Sequence, residues 1–315
     1  MAKRRSKRAR PRCSESSAHR RHPGEKREPQ KIEVISAPDH FSHSALKQLR
    51  TCPLQYRLQR IDGASPSHRS PSLVLGGVYH EVLADALRFV KKDTDLPAEA
   101  LRLWFDDFWA EALESHGPPI RWTDRLTPHN QRDLGRAMVA TWHDQGLPIF
   151  TQAEKILAVE EPFRVGLVRS DGCVLRTPLA GIIDAVVLRA DGTVVVVDHK
   201  TAKQAYSATY VDLDLQATAY TYAARKAGHR DCTFEFHTMF KKKKPELKVV
   251  PGLRDDDSFD RLFWVARQAE KLVEGGTFLP AAPTWFCDSC ECSHACVTAH
   301  RPVIVPIREA PAIAS

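Results

Sequence analysis

Two runs of mostly branched aliphatic residues, LAGIIDAVVL and TVVVVDHK, stand either side of Arg189-Ala190-Asp191-Gly192, and each is broken by one aspartate. Val and Ile suit a pleated, buried surface, and the short link containing Asp-Gly predicts a hairpin. Register depends on the link. A two-residue Asp-Gly turn would pair Ala185 with Asp198 and put Asp184 on the other face. A three-residue loop closed by Gly192 in the left-handed region would pair Arg189 with Thr193, so that Asp184 lies directly opposite Asp198. Lys200, two residues on, then projects from the same face as Asp198. Two carboxylates and one ammonium would converge at the end of an otherwise apolar hairpin.

Such charges are costly to bury unless they are paired or hold a cation. Oxygen donors suit Mg²⁺ or Mn²⁺, ions that keep waters and bind phosphates. A metal-bound water facing a phosphodiester, with a lysine to orient it or stabilise charge, makes a hydrolytic site. On the hairpin alone, acids exposed at strand ends or an inert Asp–Lys pair account for the pattern equally well.

The rest of the chain frames this hairpin. FSHSALKQLRTCPLQYRLQR predicts a helix capped near Ser42 and interrupted at Cys52-Pro53, with a second helix begun by Pro53. A helix is expected after Gly76-Gly77, with His80, Leu83 and Leu87 on one face. Two more follow: LPAEALRLWFDDFWAEALES, with Trp104, Phe108 and Trp109 as core, and QRDLGRAMVATWHDQ. The period then changes. ILAVEEPFRVGLV, CVLRTPLAGIIDAVVL and TVVVVDHK read as strands, YVDLDLQATAYTYAARKAG as a helix ended by Gly228, TFEFHTMF as a strand and DSFDRLFWVARQAEKLVEGG as a last long helix. That order predicts an α/β sheet with a helical N-terminal elaboration. No GxxxxGK[ST] loop occurs, so the chain by itself is not a nucleotide-driven motor.

The net charge of +7 is unevenly placed. Residues 1–32 hold twelve of the 46 Lys and Arg and three of the 39 Asp and Glu, a net +9, and the remainder comes to −2. A disordered basic tail over 1–34 is expected, serving either nucleic-acid steering or targeting and solubility. With no run of eighteen apolar residues and no apolar segment behind the basic start, the sequence predicts a cytoplasmic chain, nucleoid-associated if prokaryotic, neither secreted nor membrane-spanning.

Gly181-Ile182-Ile183-Asp184, Asp198-His199-Lys200, and Gln216 with Tyr220 in QATAY resemble the GxxD, DxK and QxxxY motifs of PD-(D/E)XK nucleases, most closely the RecB-like branch. His80 in LGGVYH is similar to that branch's upstream metal-binding histidine, and Glu160 or Glu161 in VEEPF to its acidic position before the first core strand. The second acid is Asp198 rather than Glu, within the family's latitude. The resemblance covers residues 41–300 and implies a restriction-endonuclease-like mixed sheet flanked by helices, in a nuclease domain over 35–300 followed by a flexible tail over 301–315. It implies a Mg²⁺- or Mn²⁺-dependent deoxyribonuclease, an exonuclease on single strands or DNA ends. In that site Asp184, Asp198 and His80 hold the metal, Lys200 orients water or stabilises the transition state, and Gln216 and Tyr220 support the substrate. The i, i+4 spacing of Gln216 and Tyr220 places both on one helix face. Relatives of this kind include CRISPR-adaptation nucleases and nuclease subunits of helicase complexes, so a helicase or another DNA-processing subunit is an implied partner. A different class, a non-catalytic DNA-binding or adaptor subunit with an idle nuclease fold, is the rival.

Four of the eight cysteines lie in CDSCECSHAC, residues 287–296. In a chain without a secretory signal, clustered cysteines favour metal over disulfides. Members of the same branch carry an iron–sulfur cluster with one ligand far upstream and three near the C-terminus. Cys52 in RTCPLQY resembles the upstream ligand, and Cys287, Cys290 and Cys296 have the matching C-x2-C-x5-C spacing, four thiolates being what a 4Fe-4S cubane requires. Cys292 is then surplus, and Cys13, Cys173 and Cys232 are free thiols. The rival is zinc held locally by Cys287, Cys290, Cys292 or His294, and Cys296. Lys241–Lys244 follows a strand, where it either touches a DNA backbone or, the preferred reading, forms a solvated turn, and Asp255–Asp257 reads as a helix cap.

Overall fold

The structure, a computed structural model, describes residues 38–92, 95–204, 206–284 and 286–299. The expected tails over 1–34 and 301–315, and Cys13, lie outside these residues.

Ser42 caps α1 (His43–Thr51), its hydroxyl accepting from the Ala45 N–H. Cys52 ends that helix, and Pro53, which lacks an N–H to leave unpaired, opens α2 (Pro53–Tyr56). A π turn over Arg57–Ile61 follows. Then come α3 (Pro71–Val90), α4 (Ala98–Glu114), α5 (Pro128–Gln145) and the short α6 (Leu147–Thr151). The strand-rich half holds β1 (Lys155–Val165), β2 (Leu179–Leu188), β3 (Val194–Ala202), α7 (Ala208–Leu213), α8 (Leu215–Lys226), β4 (Thr233–Phe240) and β5 (Glu246–Gly252). It ends with α9 (Asp256–Glu274), capped by Asp255 as expected, and a one-turn helix, α10 (Ser293–Cys296).

The five strands pair in sequence order, all antiparallel except β3 with β4, which run parallel and are joined through α7 and α8. This is the mixed, helix-flanked α/β sheet that the sequence predicts. Each face has its own core. Val195 and Val197 pack toward α3, α4 and α5, with Leu83, Leu87, Phe105 and Trp142. Val196, Phe234 and Phe236 pack toward α1, α8 and α9. The period of two along β3 therefore sends His199 to the first face and Asp198 with Lys200 to the second.

Several elements differ from expectation, each for a local reason. The helix carrying His80 starts at Pro71 and runs through Gly76-Gly77, because Pro at its first position preorganises the turn. In α4 the core position belongs to Phe105, 0 % exposed, beside Trp109; Trp104 and Phe108 are half-buried. Gly135 of α5 makes room for that ring, since a Cβ there would stand 1.9 Å from it. β2 begins only at Leu179, where Pro178 ends and the Phe41 bridge begins. The helix after β3 is two helices, because Asp214 leaves helical geometry and its side chain caps α8. β5, unforeseen, is an edge strand, the position in a sheet that tolerates a proline such as Pro251. Among the described residues, no helix is long and apolar enough to cross a membrane.

Candidate active site

The hairpin takes the three-residue loop. Arg189 N–H donates to Thr193 O at 2.9 Å, Gly192 N–H donates to Arg189 O at 2.9 Å, and Gly192 has φ 84°, which only glycine adopts without cost. The ladder runs from Leu188–Val194 to Ala185–Val197 and stops there. Asp184 and Asp198 are next in that register, just past the last paired residues, so neither carboxylate has to share its space with a continuing ladder. Asp198 is 0 % exposed and Asp184 9 %.

Each acid is held by different partners. Asp184 Oδ2 accepts from the His199 N–H at 2.7 Å and lies 3.4 Å from His80 Nδ1, which α3 brings in from the other layer. Asp198 Oδ1 accepts from Gln216 Nε2 at 2.5 Å, and its Oδ2 is 2.6 Å from Lys200 Nζ. Lys200 Nζ donates to Gln216 Oε1 at 2.6 Å, and Gln216 Nε2 is 3.1 Å from the Tyr220 hydroxyl. Gln216 is thus a two-ended clamp on the acid and the lysine. It sits there because Asp214 accepts from its N–H at 2.8 Å and starts α8 at that point. Tyr220, buried, is wedged edge-on by Phe163 (ring centroids 5.8 Å apart) and His43 (5.6 Å). Gly181 permits that wedge: a Cβ there would meet the Phe163 ring at 2.9 Å and Tyr220 at 3.5 Å.

The electrostatics follow from burial and proximity. Burial, with the Asp184 charge added, pushes the Asp198 carboxyl upward against the pull of Lys200. Burial also opposes ionisation of Asp184, but the His80 contact and the His199 N–H outweigh it and hold that carboxyl low. Lys200 is raised despite its burial, because Asp198 favours the ammonium. Glu160 is raised by burial and by the Asp184 charge; Glu161 is exposed. Glu160 has φ 51°, a left-handed backbone uncommon outside glycine. Of the two sequence candidates, Glu160 is the partly buried one whose carboxyl responds to Asp184.

The residue set suits a hard divalent cation. Two buried carboxylates repel one another, and Asp198 Oδ2, despite the nearby ammonium, has no well-directed hydrogen bond. Among the described residues no group of three or more His, Cys, Asp or Glu side chains forms a ready cage for a metal. Mg²⁺ does not need one, because it keeps waters and binds through one or two carboxylates plus substrate phosphates.

His43 was not foreseen. It stands at the start of α1 and reaches Tyr220 because Phe41 bridges Leu179 of β2 in parallel. FSHS carries no local signal for this; the bridge is a long-range pairing.

The structure also gathers the cysteines. Leu54 N–H donates to Leu279 O at 3.2 Å, Ala281 N–H to Cys52 Sγ at 3.5 Å, Gln59 Nε2 to Glu291 Oε1 at 2.8 Å and Arg121 Nη1 to Asp288 O at 3.1 Å. These contacts seat the C-terminal segment against α2 and the π turn. The Cys296 thiol is pushed upward by burial and, after that, by Cys52, Cys290 and Cys287. Cys292, 1 % exposed, packs with Leu54 and Leu58. Every described cysteine is free. Thiols suit an iron–sulfur centre as donors, but among the described residues these cysteines form no group that could hold a metal. His294 stands beside them on α10.

A profile of the PD-(D/E)XK nuclease superfamily matches residues 40–297. No curated protein matches the chain. Among solved structures, the chain is similar to a protein from Eubacterium rectale described as a candidate exonuclease, with TM-score 0.50 and 13% identity, covering 86% of this chain and 91% of that one. It also matches the structure of SSO0001 at TM-score 0.33 and 13% identity, over 81% of this chain and 95% of the other, too loosely to bear on the fold.

Proposed function

The chain belongs to the PD-(D/E)XK nuclease superfamily, and on that basis we propose that it is a metal-dependent deoxyribonuclease, an exonuclease acting on single strands or DNA ends. The observation that carries this reading is the buried carboxylate pair at the end of the hairpin, with Lys200 2.6 Å from Asp198. A buried acid pair of this kind is costly unless a cation joins it. Asp184 and Asp198, with His80 alongside, would hold Mg²⁺ or Mn²⁺, which supplies a polarised phosphate and an activated water when bound. The chain's own groups do the positioning. Lys200 faces the same space as Asp198 and stabilises charge on the scissile phosphate or orients the attacking water. Gln216 fixes Lys200 and Asp198 relative to each other, and Tyr220 fixes Gln216.

Cys52, Cys287, Cys290 and Cys296 are the ligands of a 4Fe-4S cluster in this reading. What supports it is the Ala281 N–H bond to Cys52 Sγ, which brings the upstream cysteine to the C-terminal segment. The cluster would join the first helices to the C-terminal segment and thereby stabilise the closed loop between them.

Incubation of the purified protein with end-labelled single- and double-stranded DNA, with Mg²⁺, Mn²⁺ or EDTA, tests the activity. Metal-dependent shortening from an end, stopped by EDTA, is expected. Cleavage that persists in EDTA, or none with either metal, overturns the reading.

A further inference from the structure

Soon after Lys200 the chain leaves the sheet and presents two tyrosines. Tyr206 and Tyr210 stack with ring centroids 4.7 Å apart and planes 14° from parallel. Tyr206 also leans on Phe236 of β4, at 5.8 Å. The Lys200 ammonium in turn stands 5.7 Å from the Phe236 centroid. An aromatic row therefore leads from the lysine of the acid cluster outward to Tyr210, which is 41 % exposed. Because the same ammonium is 2.6 Å from Asp198 Oδ2, the row begins at the acids.

The row is anchored. Ser207 caps α7 by accepting from the Tyr210 N–H at 3.1 Å. Arg254, 4 % exposed, donates to Val211 O at the next residue, to Leu253 O at 2.7 Å and to Thr218 Oγ1 at 2.9 Å, tying α7 to α8. Lysines stand at the same end of the sheet. Lys203 follows β3, and Lys241 follows β4, its N–H donating to Ala202 O at 2.8 Å. Lys242, Lys243 and Lys244 continue as an exposed turn.

We propose that Tyr210, backed by Tyr206 and Phe236, is a stacking platform for an unpaired nucleobase, with these lysines along the backbone of the same strand. The proposal rests on the nuclease reading and names its substrate more closely: a strand that is single where it meets Asp198 and Lys200. A ring already stacked on one neighbour and 41 % exposed loses little freedom when a base covers it. Bases inside a duplex already stack on each other and have no face to offer. Base–aromatic stacking is tolerant of sequence and changes affinity by about 5- to 100-fold per base.

Single-stranded oligonucleotides carrying 2-aminopurine at successive positions, added to the full-length protein in EDTA, test this by fluorescence and anisotropy. Quenching at one or two adjacent positions is expected. Y210A should abolish the quench and weaken single-strand binding by about 5- to 100-fold, with little effect on a blunt duplex of equal length. Y210F should keep the quench, and thermal melts of both variants check the fold. Absence of a position-specific quench in the unsubstituted protein, or Y210A binding single strands as tightly, overturns the platform. Because the readout needs no metal, a protein that stacks bases but never cuts would retire the nuclease reading alone. One that cuts while Y210A binds normally would retire the platform alone.

Discussion

At the acid cluster, each polar side chain is held by regular structure. Strands β2 and β3 place the two aspartates, the cap of α8 places Gln216, and α3 places His80 3.4 Å from Asp184. At the cysteine segment, with helical turns over Cys287–Ser289 and Ser293–Cys296, Arg121 holds Asp288, Gln59 holds Glu291 between the turns, and Leu54 and Cys52 hold Leu279 and Ala281 upstream of them. The first region is preorganised without a ligand, because sheet and helix fix its geometry and burial keeps it there. The second brings donors into one neighbourhood but leaves their final arrangement to whatever they bind. A ligand added to the first should change reactivity; added to the second, it should change the fold's stability.

The largest expected effect lies at the acids. D198N keeps the shape and removes one buried charge, so cleavage should fall by about 10³-fold or more, given that a metal contributes several kcal/mol and each 1.36 kcal/mol is a decade in rate. K200A should lose cleavage likewise while metal binding, followed by calorimetry, survives. DNA binding should largely persist in both. Full cleavage by both variants would remove the acids from the chemistry.

The cysteine segment should answer in stability. Protein purified without oxygen should be brown and contain iron and sulfide if the four thiols hold a cluster. C52A should then lose colour and about 2–5 kcal/mol in denaturant melts, the range for removing a link that closes a long loop. C292A should keep the colour, at the cost of about 1–2 kcal/mol of packing against Leu54 and Leu58. A colourless, zinc-loaded preparation that ignores C52A and is damaged by C292A would give the segment to local zinc.

The same contrast explains what could be read beforehand. A strand repeats every two residues, so one loop length decided the relation of Asp184 to Asp198, and the Arg189–Thr193 bond found here is the one that brings them together. Gln216 and Tyr220 were legible as one helix face because a helix brings residues i and i+4 together, although Asp214 divides their helix in two. Cys292 was harder: spacing in an irregular segment gives no face, and its burial under Leu54 and Leu58 depends on the distant α2 and π turn. His43 meets Tyr220 through a strand bridge, and Tyr210 meets Tyr206 through a ring stack. What sets Glu160 apart from Glu161, both candidates in VEEPF, is an unusual φ and partial burial. None of these leaves a periodic trace.

The smallest expected effect tests preorganisation with no ligand present. His43 is half-buried, edge-on to Tyr220, and faces Lys200 and Lys47 on one side of the balance and Asp214 and Asp184 on the other. Burial, then Lys200, pushes its ring down to about 4 from an ordinary 6.5. The unfolded chain takes up the proton first, so the neutral ring's contribution is complete above pH 6.5 and is lost as pH falls toward 4. Between pH 7 and pH 5 this should cost about 1–2 kcal/mol. H43F, which cannot titrate, should lose less over the same interval, whereas C292A should follow the unsubstituted protein. Urea melts of the metal-free proteins at the two pH values measure the difference. Equal losses in H43F and the unsubstituted protein would mean that His43 does not feel the packing and charge of the acid cluster, and that this region too waits for its ligand before it is ordered.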